Sequence, residues 1–285
     1  VELALVAEEL GAAVAPGPFI ETALVAATVS GADFEARDAV VASFQEGTAR
    51  AAVANGAFTA TTDGDDVVVD GRATTVHAAG SVDWLLVTTT LDDSPVVILV
   101  DSAATTTTRR TTLDQSRGWY DVRCDSVRVP ASRVVLRGDS AVQRLLDQMA
   151  VLVAADALGI GERLLRMTID YTATREQFGV AIGSFQAVKH KVADMAKLLR
   201  GARAATYLAA MALDARLPEA SLHASVAKAF ASEQVSAVAG EALQLHGGIG
   251  FTWEHDLHLY LRRAKVDEAV FGNAAAHHER VLSLS

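Results

Sequence analysis

The chain has 285 residues, 51% of them apolar and 21% charged, which suits about two globular domains with a sizeable core. Its formal net charge is −10 with acidic and basic residues interspersed, and this excludes nucleic acid as the main partner, because a phosphate backbone needs a positive footprint. A single cysteine, Cys124, rules out an intrachain disulfide and a cysteine metal cluster, and it fits a reducing cytoplasm, the expected localisation.

Along residues 1–15, Leu3, Val6, Ala7 and Leu10 recur at helical spacing until Pro16-Gly17-Pro18 stops the helix. A second helix is expected over 20–29. The chain opens at Val1 inside a helical pattern and without methionine, so its natural start is expected upstream. From 49 to 137 valine and threonine dominate. Strand-length segments fall at 67–69, 84–89, 96–100, 105–113 and 119–127, with turns expected at Asp63-Gly64 and Asp70-Gly71. This predicts a small antiparallel β domain, a sandwich or open barrel.

Residues 139–285 read as helix nearly throughout. One helix is expected over 140–172. The next starts at Ser184 as N-cap, with Phe185, Val188, Val192, Met195, Leu198, Ala202 and Ala205 at spacings of three and four. A third opens at Pro218 and reaches 245, a fourth covers 256–271, and a short last one covers 274–282. Long and alanine-rich, they predict a four-helix bundle. The fold class is therefore α+β: a remnant of N-terminal helices over 1–47, a middle β domain over 48–138 and a helical bundle over 139–285. The apolar run 149–155 is cut by Asp156 and is too short to span a bilayer.

Chemistry-bearing residues gather at two helix ends. Arg175 follows the first long helix beside Gln177 and Phe178, so a planar guanidinium fork, an amide and an aromatic face lie together, as a diphosphate next to a flat ring requires. A solvated surface arginine fits the same residues. Gln244, Gly247 and Gly248 follow another long helix, where bare backbone N–H groups approach an anion, or where glycine simply caps the helix. His246 between them reads as structural. Gly159-Ile160-Gly161 lacks the preceding strand of a dinucleotide fingerprint and is better explained by close helix packing. His255 with His258, and His277 with His278, lack the carboxylate or cysteine partners of a metal site and read as surface histidines.

The segments YTATREQFGVAIG (171–183), QLHGGIGFT (244–252) and YLRRAKVDEAVFGN (260–273) together resemble the carboxyl-terminal half of the acyl-CoA dehydrogenase family of flavoproteins. VAEELGAAVAPGPF (6–19) resembles the last helices of that family's amino-terminal domain. The resemblance implies that Arg175, Gln177, Phe178, Gln244, Gly247 and Gly248 contact the diphosphate end of FAD bound to a neighbouring subunit. It also implies that the middle domain cradles the flavin ring through a Thr-Glu-Pro and a Gly-Ser-Asp segment. Thr48-Ala49-Arg50 and residues 77–81 match these poorly, so the ring pocket is expected to be eroded. The family's catalytic glutamate, which takes the proton α to the thioester, falls at Phe271 here, and its alternative position on the long helix falls at Met149. Neither side chain accepts a proton. Glu268 and Asp267, three and four residues before Phe271, are the fallback base.

The resemblance is to the degenerate subunit of actinobacterial heterotetrameric members. It implies an α2β2 assembly with a homologous subunit that supplies the base, FAD as cofactor, an acyl-CoA substrate such as a steroid side-chain thioester, and an electron-transfer acceptor. Two alternatives remain open at this level: a homotetrameric dehydrogenase using Glu268, and a non-catalytic helical scaffold.

Overall fold

The structure is a computed structural model describing residues 1–285. In chain order it contains α1 (Glu2–Ala12), α2 (Phe19–Ser30), α3 (Arg37–Gln45), β1 (Ala51–Asp63), β2 (Asp66–His77), β3 (Trp84–Leu91), β4 (Ser94–Asp101), β5 (Thr106–Arg110), β6 (Trp119–Pro130) and β7 (Val134–Arg137). There follow α4 (Asp139–Thr174), β8 (Glu176–Gln177), β9 (Val180–Ala181), α5 (Gln186–Asp214), α6 (Ala220–His246), α7 (Leu257–Ala269) and α8 (Ala274–Leu284). The chain divides into two compact units. One comprises Val1–Ala15, Leu113–Ser116 and Asp147–Ser285; the other comprises Pro16–Thr112 and Arg117–Leu146.

The second unit is built on a seven-stranded sheet in the order β5-β6-β2-β1-β3-β4-β7. Every pairing is antiparallel except β1 with β3, which is parallel. Its core joins Val67, Val69, Leu85, Val87, Ile98, Val100 and Val122, the β-branched and leucine positions that alternate along the strands. The hairpin turn at Asp63-Gly64 is present, with Gly64 at φ +64° between the paired Asp63 and Asp66. Asp70-Gly71 is not a turn but a bulge inside β2, where the β2–β6 register slips between Val69 and Gly71. A Cβ on Gly71 would lie 2.2 Å from the Ala57 carbonyl oxygen, so glycine serves the close approach of β1 rather than a chain reversal. The alanine-rich start of β1, the four residues of β7 and the short α3 carry no strand or helix signal that the sequence makes visible.

In the helical unit, Ala154, Leu158, Ile160 and Leu164 of α4 share one core with Met195, Leu199 and Ala202 of α5, Val235, Val238 and Ala242 of α6, and Leu257 and Ala264 of α7. Alanine at these contacts lets the axes approach closely. The approach is tightest between α1 and α4: a Cβ on Gly11 would stand 2.0 Å from the Asp156 carbonyl oxygen, and one on Gly159 1.8 Å from that of Glu8. A Cβ on Gly161 would stand 2.4 Å from Leu199 Cδ2. Gly159-Ile160-Gly161 is thus a packing device. Below this crossing Arg263 of α7 forms a bidentate ion pair with Asp156 (Nη2–Oδ1 2.6 Å, Nε–Oδ2 3.0 Å), both side chains 1% exposed. Its third nitrogen, Nη1, donates to the Ala15 carbonyl at 2.7 Å. Helix α5 begins two residues later than Ser184, which lies in a 3-10 turn and donates its hydroxyl to the Ala181 carbonyl instead of capping the helix. No helix is long and apolar enough to cross a membrane.

Candidate functional site

Helices α4 and α6 end side by side. Tyr171, in the last turn of α4, stacks on His246, the last residue of α6, with ring centroids 4.6 Å apart and an interplanar angle of 19°. His246 is buried and its Nδ1–H donates to the Ala242 carbonyl at 2.7 Å, while burial holds its pKa below the ordinary histidine value. A neutral ring with its proton on Nδ1 suits that stack. His255 meets the other side of His246 edge-on at 4.8 Å, and its own Nδ1 accepts from the Leu257 N–H. The two loops leaving these helix ends are therefore neighbours.

The first loop is a minimal hairpin. Glu176 and Gln177 of β8 pair with Ala181 and Val180 of β9 across Phe178 and Gly179, whose φ angles are +56° and +80°. Positive φ at both central residues is the turn geometry that matches strand twist. It strains Phe178 while holding its ring outward, 93% exposed. Arg175 opens the hairpin; its N–H donates to the Tyr171 carbonyl and its carbonyl accepts from the Ile182 N–H, each at 2.8 Å. Its guanidinium is exposed and forms no hydrogen bond or ion pair within the chain. Gln177 turns its amide back onto the Glu176 carbonyl.

The second loop starts where the Gly247 N–H caps the Gln244 carbonyl, at a φ of +60° that favours glycine. Cβ atoms on Gly247 or Gly248 would meet nothing within 4 Å, so packing inside the chain does not demand bare backbone at Gly248. Gln244 is exposed beside them. The loop then displays Phe251 and Trp253, 73% and 68% exposed, with the Arg262 guanidinium 4.3 Å above the indole. These two aromatics carry no anion-binding chemistry and escape a search for charge and glycine; their exposure so close to the glycine loop is their only signal. The structure brings Arg175, Gln177, Phe178, Gln244, Gly247 and Gly248 to one end of the bundle. The open space and the guanidinium without an intrachain partner fit the anionic tail of a dinucleotide held from outside the chain.

The other candidate positions lie elsewhere in this unit. Met149 is 1% exposed inside α4. Phe271 follows α7 at φ +54°, half-buried, in a loop clamped from beneath. The buried Lys228 of α6 donates to the Gly272 carbonyl at 2.9 Å and the Glu268 carbonyl at 3.2 Å, and His277 Nε2–H donates to the Phe271 carbonyl at 2.9 Å. His277 is thus buried rather than at the surface, because its ring fills the space a Cβ on Gly272 would need. Burial pulls the Lys228 pKa down to about 8. A lone lysine in an alanine-rich helix gives no sequence sign of this clamp. Glu268 accepts from Ser236 Oγ at 2.7 Å and Lys265 Nζ at 3.0 Å. Burial pushes its pKa up, but those hydrogen bonds and the Lys265 and Lys228 charges prevail and leave it below the ordinary carboxylate value. Asp267 is buried in α7, 1% exposed.

In the sheet unit, Thr48-Ala49-Arg50 leads into β1, where the Arg50 N–H donates to Asp83 Oδ2 at 2.8 Å. His77 ends β2 and is buried with Glu21 and Trp119; residues 79–81 form a 3-10 turn.

Residues 137–283 match the family model for the acyl-CoA dehydrogenase C-terminal domain. Acyl-CoA dehydrogenase IpdE2 of Mycolicibacterium smegmatis is 41% identical over 161 residues, 56% of this chain and 47% of that protein. IpdE2 of Mycobacterium tuberculosis is 47% identical over 120 residues, 42% of this chain and 36% of that protein. The chain thus spans less than half the length of these curated relatives. Among solved structures, the ChsE4-ChsE5 complex from Mycobacterium tuberculosis superposes with a TM-score of 0.93 at 28% identity, covering 99% of this chain and 79% of that one. A steroid ACAD variant, Tcur3481-Tcur3483, does so with a TM-score of 0.91 at 28% identity, covering 99% and 80%. The superpositions extend over 99% of this chain, so its α+β fold is shared with these proteins. The chain belongs to the acyl-CoA dehydrogenase family.

Proposed function

We propose that this chain is the non-deprotonating subunit of a FAD-dependent acyl-CoA dehydrogenase and works only when assembled with a homologous partner. The observation that supports this most is the outward-facing loop pair, where Arg175 has no intrachain partner, taken with the positions at which the resemblance puts the base. The resemblance puts the family's carboxylate at Phe271 or Met149, and neither side chain takes a proton. Glu268, the nearest alternative, is committed to Ser236 and Lys265 and has a lowered pKa, whereas a base working on a carbon acid is favoured by a raised one.

Bound FAD would supply the hydride acceptor for α,β-desaturation of the thioester. This chain's residues would hold its tail: Arg175 as a fork on the diphosphate, Gly248 with its backbone N–H, Gly247 through the positive φ and missing side chain that let this backbone approach, Gln177 and Gln244 with side-chain amides, and Phe178 as an apolar cover. The partner would seat the ring and contribute the glutamate that removes the α proton, giving an α2β2 assembly in the cytoplasm that passes electrons to a separate acceptor. The similarity to a steroid ACAD and to the ChsE4-ChsE5 complex supports a steroid side-chain CoA ester as substrate and a two-gene product as the active unit. The test is expression of this chain alone and together with each homologous dehydrogenase subunit of the same genome. Flavin absorbance is expected only in the co-purified complex; a yellow, dye-reducing single chain would overturn the proposal.

A further inference from the structure

The sheet unit holds a buried acid–base pair that this function does not use. Glu21, in the first turn of α2, accepts a hydrogen bond from His77 Nδ1–H at 2.7 Å; the two side chains are 13% and 7% exposed. His77 stands directly opposite Trp119 across the antiparallel β2–β6 pair, with ring centroids 5.3 Å apart and planes tilted by 40°. The end of β2 is shaped to aim this ring. The register slips between Ala73 and Val76 with Thr75 at φ +59°, and Ala78 takes φ +57° while its N–H donates to the Gly118 carbonyl. His77 Nε2 and Trp119 Nε1 are both buried, and no protein group lies within hydrogen-bond reach of either.

Two buried polar atoms without partners, on rings whose centroids lie 5.3 Å apart, demand an occupant. Its chemistry follows from the proton positions. With the Glu21 carboxylate on Nδ1, the proton of a neutral ring sits there and Nε2 presents a lone pair. Trp119 Nε1–H only donates. A carbonyl or carboxylate oxygen would satisfy the indole and leave Nε2 bare, whereas an O–H group donates to Nε2 and accepts from Nε1 together. We propose that His77 and Trp119 bind one hydroxylic oxygen, a water molecule in the purified protein, and that Glu21 and His77 form a base toward it. In the transfer, the O–H bond breaks, the Nε2–H bond forms, and the imidazolium is held by the Glu21 carboxylate. Burial pushes the Glu21 pKa up, but it is brought below the ordinary carboxylate value by attraction to the imidazolium form of His77, by the His77 hydrogen bond and by the Arg117 charge, so the carboxylate favours the protonated ring that the transfer produces.

The test uses the full chain with whatever partner it co-purifies with. A crystal structure resolving solvent should show one oxygen within hydrogen-bond distance of both Nε2 and Nε1; no density there overturns the site. Replacing Trp119 by benzothienylalanine keeps the ring shape and deletes the N–H. A lowered thermal midpoint is expected if an oxygen is bound, whereas an unchanged or raised midpoint would mean the donor was bare and overturn it. In nitrogen-15 spectra of labelled histidine, His77 should carry its proton on Nδ1, and Glu21→Leu should move it to Nε2. An unchanged tautomer would overturn the acid–base pair independently of the water.

Discussion

Arg263 and Asp156 show what a single residue decides in this bundle. Both charges are removed from water, and the cost of doing so is offset only while the bidentate geometry and the Ala15 carbonyl contact persist. Asp156→Asn is therefore expected to destabilise the protein by about 3–5 kcal/mol in a denaturant titration, because it strands the guanidinium in the core. Lys228 acts differently. Its pKa of about 8 in the folded protein lies below the ordinary 10.5, so under pH 8 the fold carries a buried cation, and between pH 8 and 10.5 the unfolded chain binds more protons. Stability from this group accordingly rises across that window, by on the order of 3 kcal/mol. Unfolding free energies at pH 7.5 and pH 10 should favour wild type over Lys228→Met more strongly at the higher pH. At Arg175 charge alone is not enough. Under the division of labour proposed above, Arg175→Lys keeps the cation but loses the fork, and flavin retention by the complex should fall roughly tenfold in equilibrium dialysis.

Elements are set by close approach as much as by hydrophobic pattern. Gly159→Ala would drive a methyl into the Glu8 carbonyl across the α1–α4 crossing and should cost about 3 kcal/mol. Gly248→Ala meets open space and should change thermal stability by less than about 0.5 kcal/mol, yet weaken flavin retention in the complex. The contrast separates a packing glycine from a binding one in a single thermal and spectroscopic comparison. These devices were unevenly legible. The valine-threonine strands and the long helices announce themselves by period, and the ends of the long helices agree with the structure to within a few residues, whereas β2 runs to His77, well past the expected 67–69. β1 does not, because Ala51, Ala52 and Ala54 are buried in mid-sheet by neighbouring strands rather than by their own propensity. Asp70-Gly71 has turn composition but is used as a bulge, a choice made by the β6 register and invisible locally. The loop residues 175–178 and 244–248 were legible as chemistry. Their adjacency was implied only by the family resemblance and by no local pattern, since it depends on the Tyr171–His246 stack between residues 75 positions apart in sequence. Lys228 and the Glu21–His77 pair were illegible for the same reason: only tertiary contact makes them special.

For the whole molecule, the arrangement is asymmetric. The helical unit presents Arg175, Gly247 and Gly248 on outward loops, assigned in the proposal above to another subunit's dinucleotide, with the base positions assigned to Phe271 and Met149. On that proposal the assembled enzyme obtains its proton acceptor from the partner subunit. The most direct measurement is turnover of an acyl-CoA thioester by the co-purified complex, with a dye as electron acceptor, in two variants made side by side. Substituting the partner's active-site glutamate by glutamine is expected to abolish turnover, while Glu268→Gln in this chain leaves it within about twofold, a loss of under about 0.5 kcal/mol. Turnover that survives the partner substitution but collapses with Glu268→Gln would contradict the division of labour and return the base to this chain.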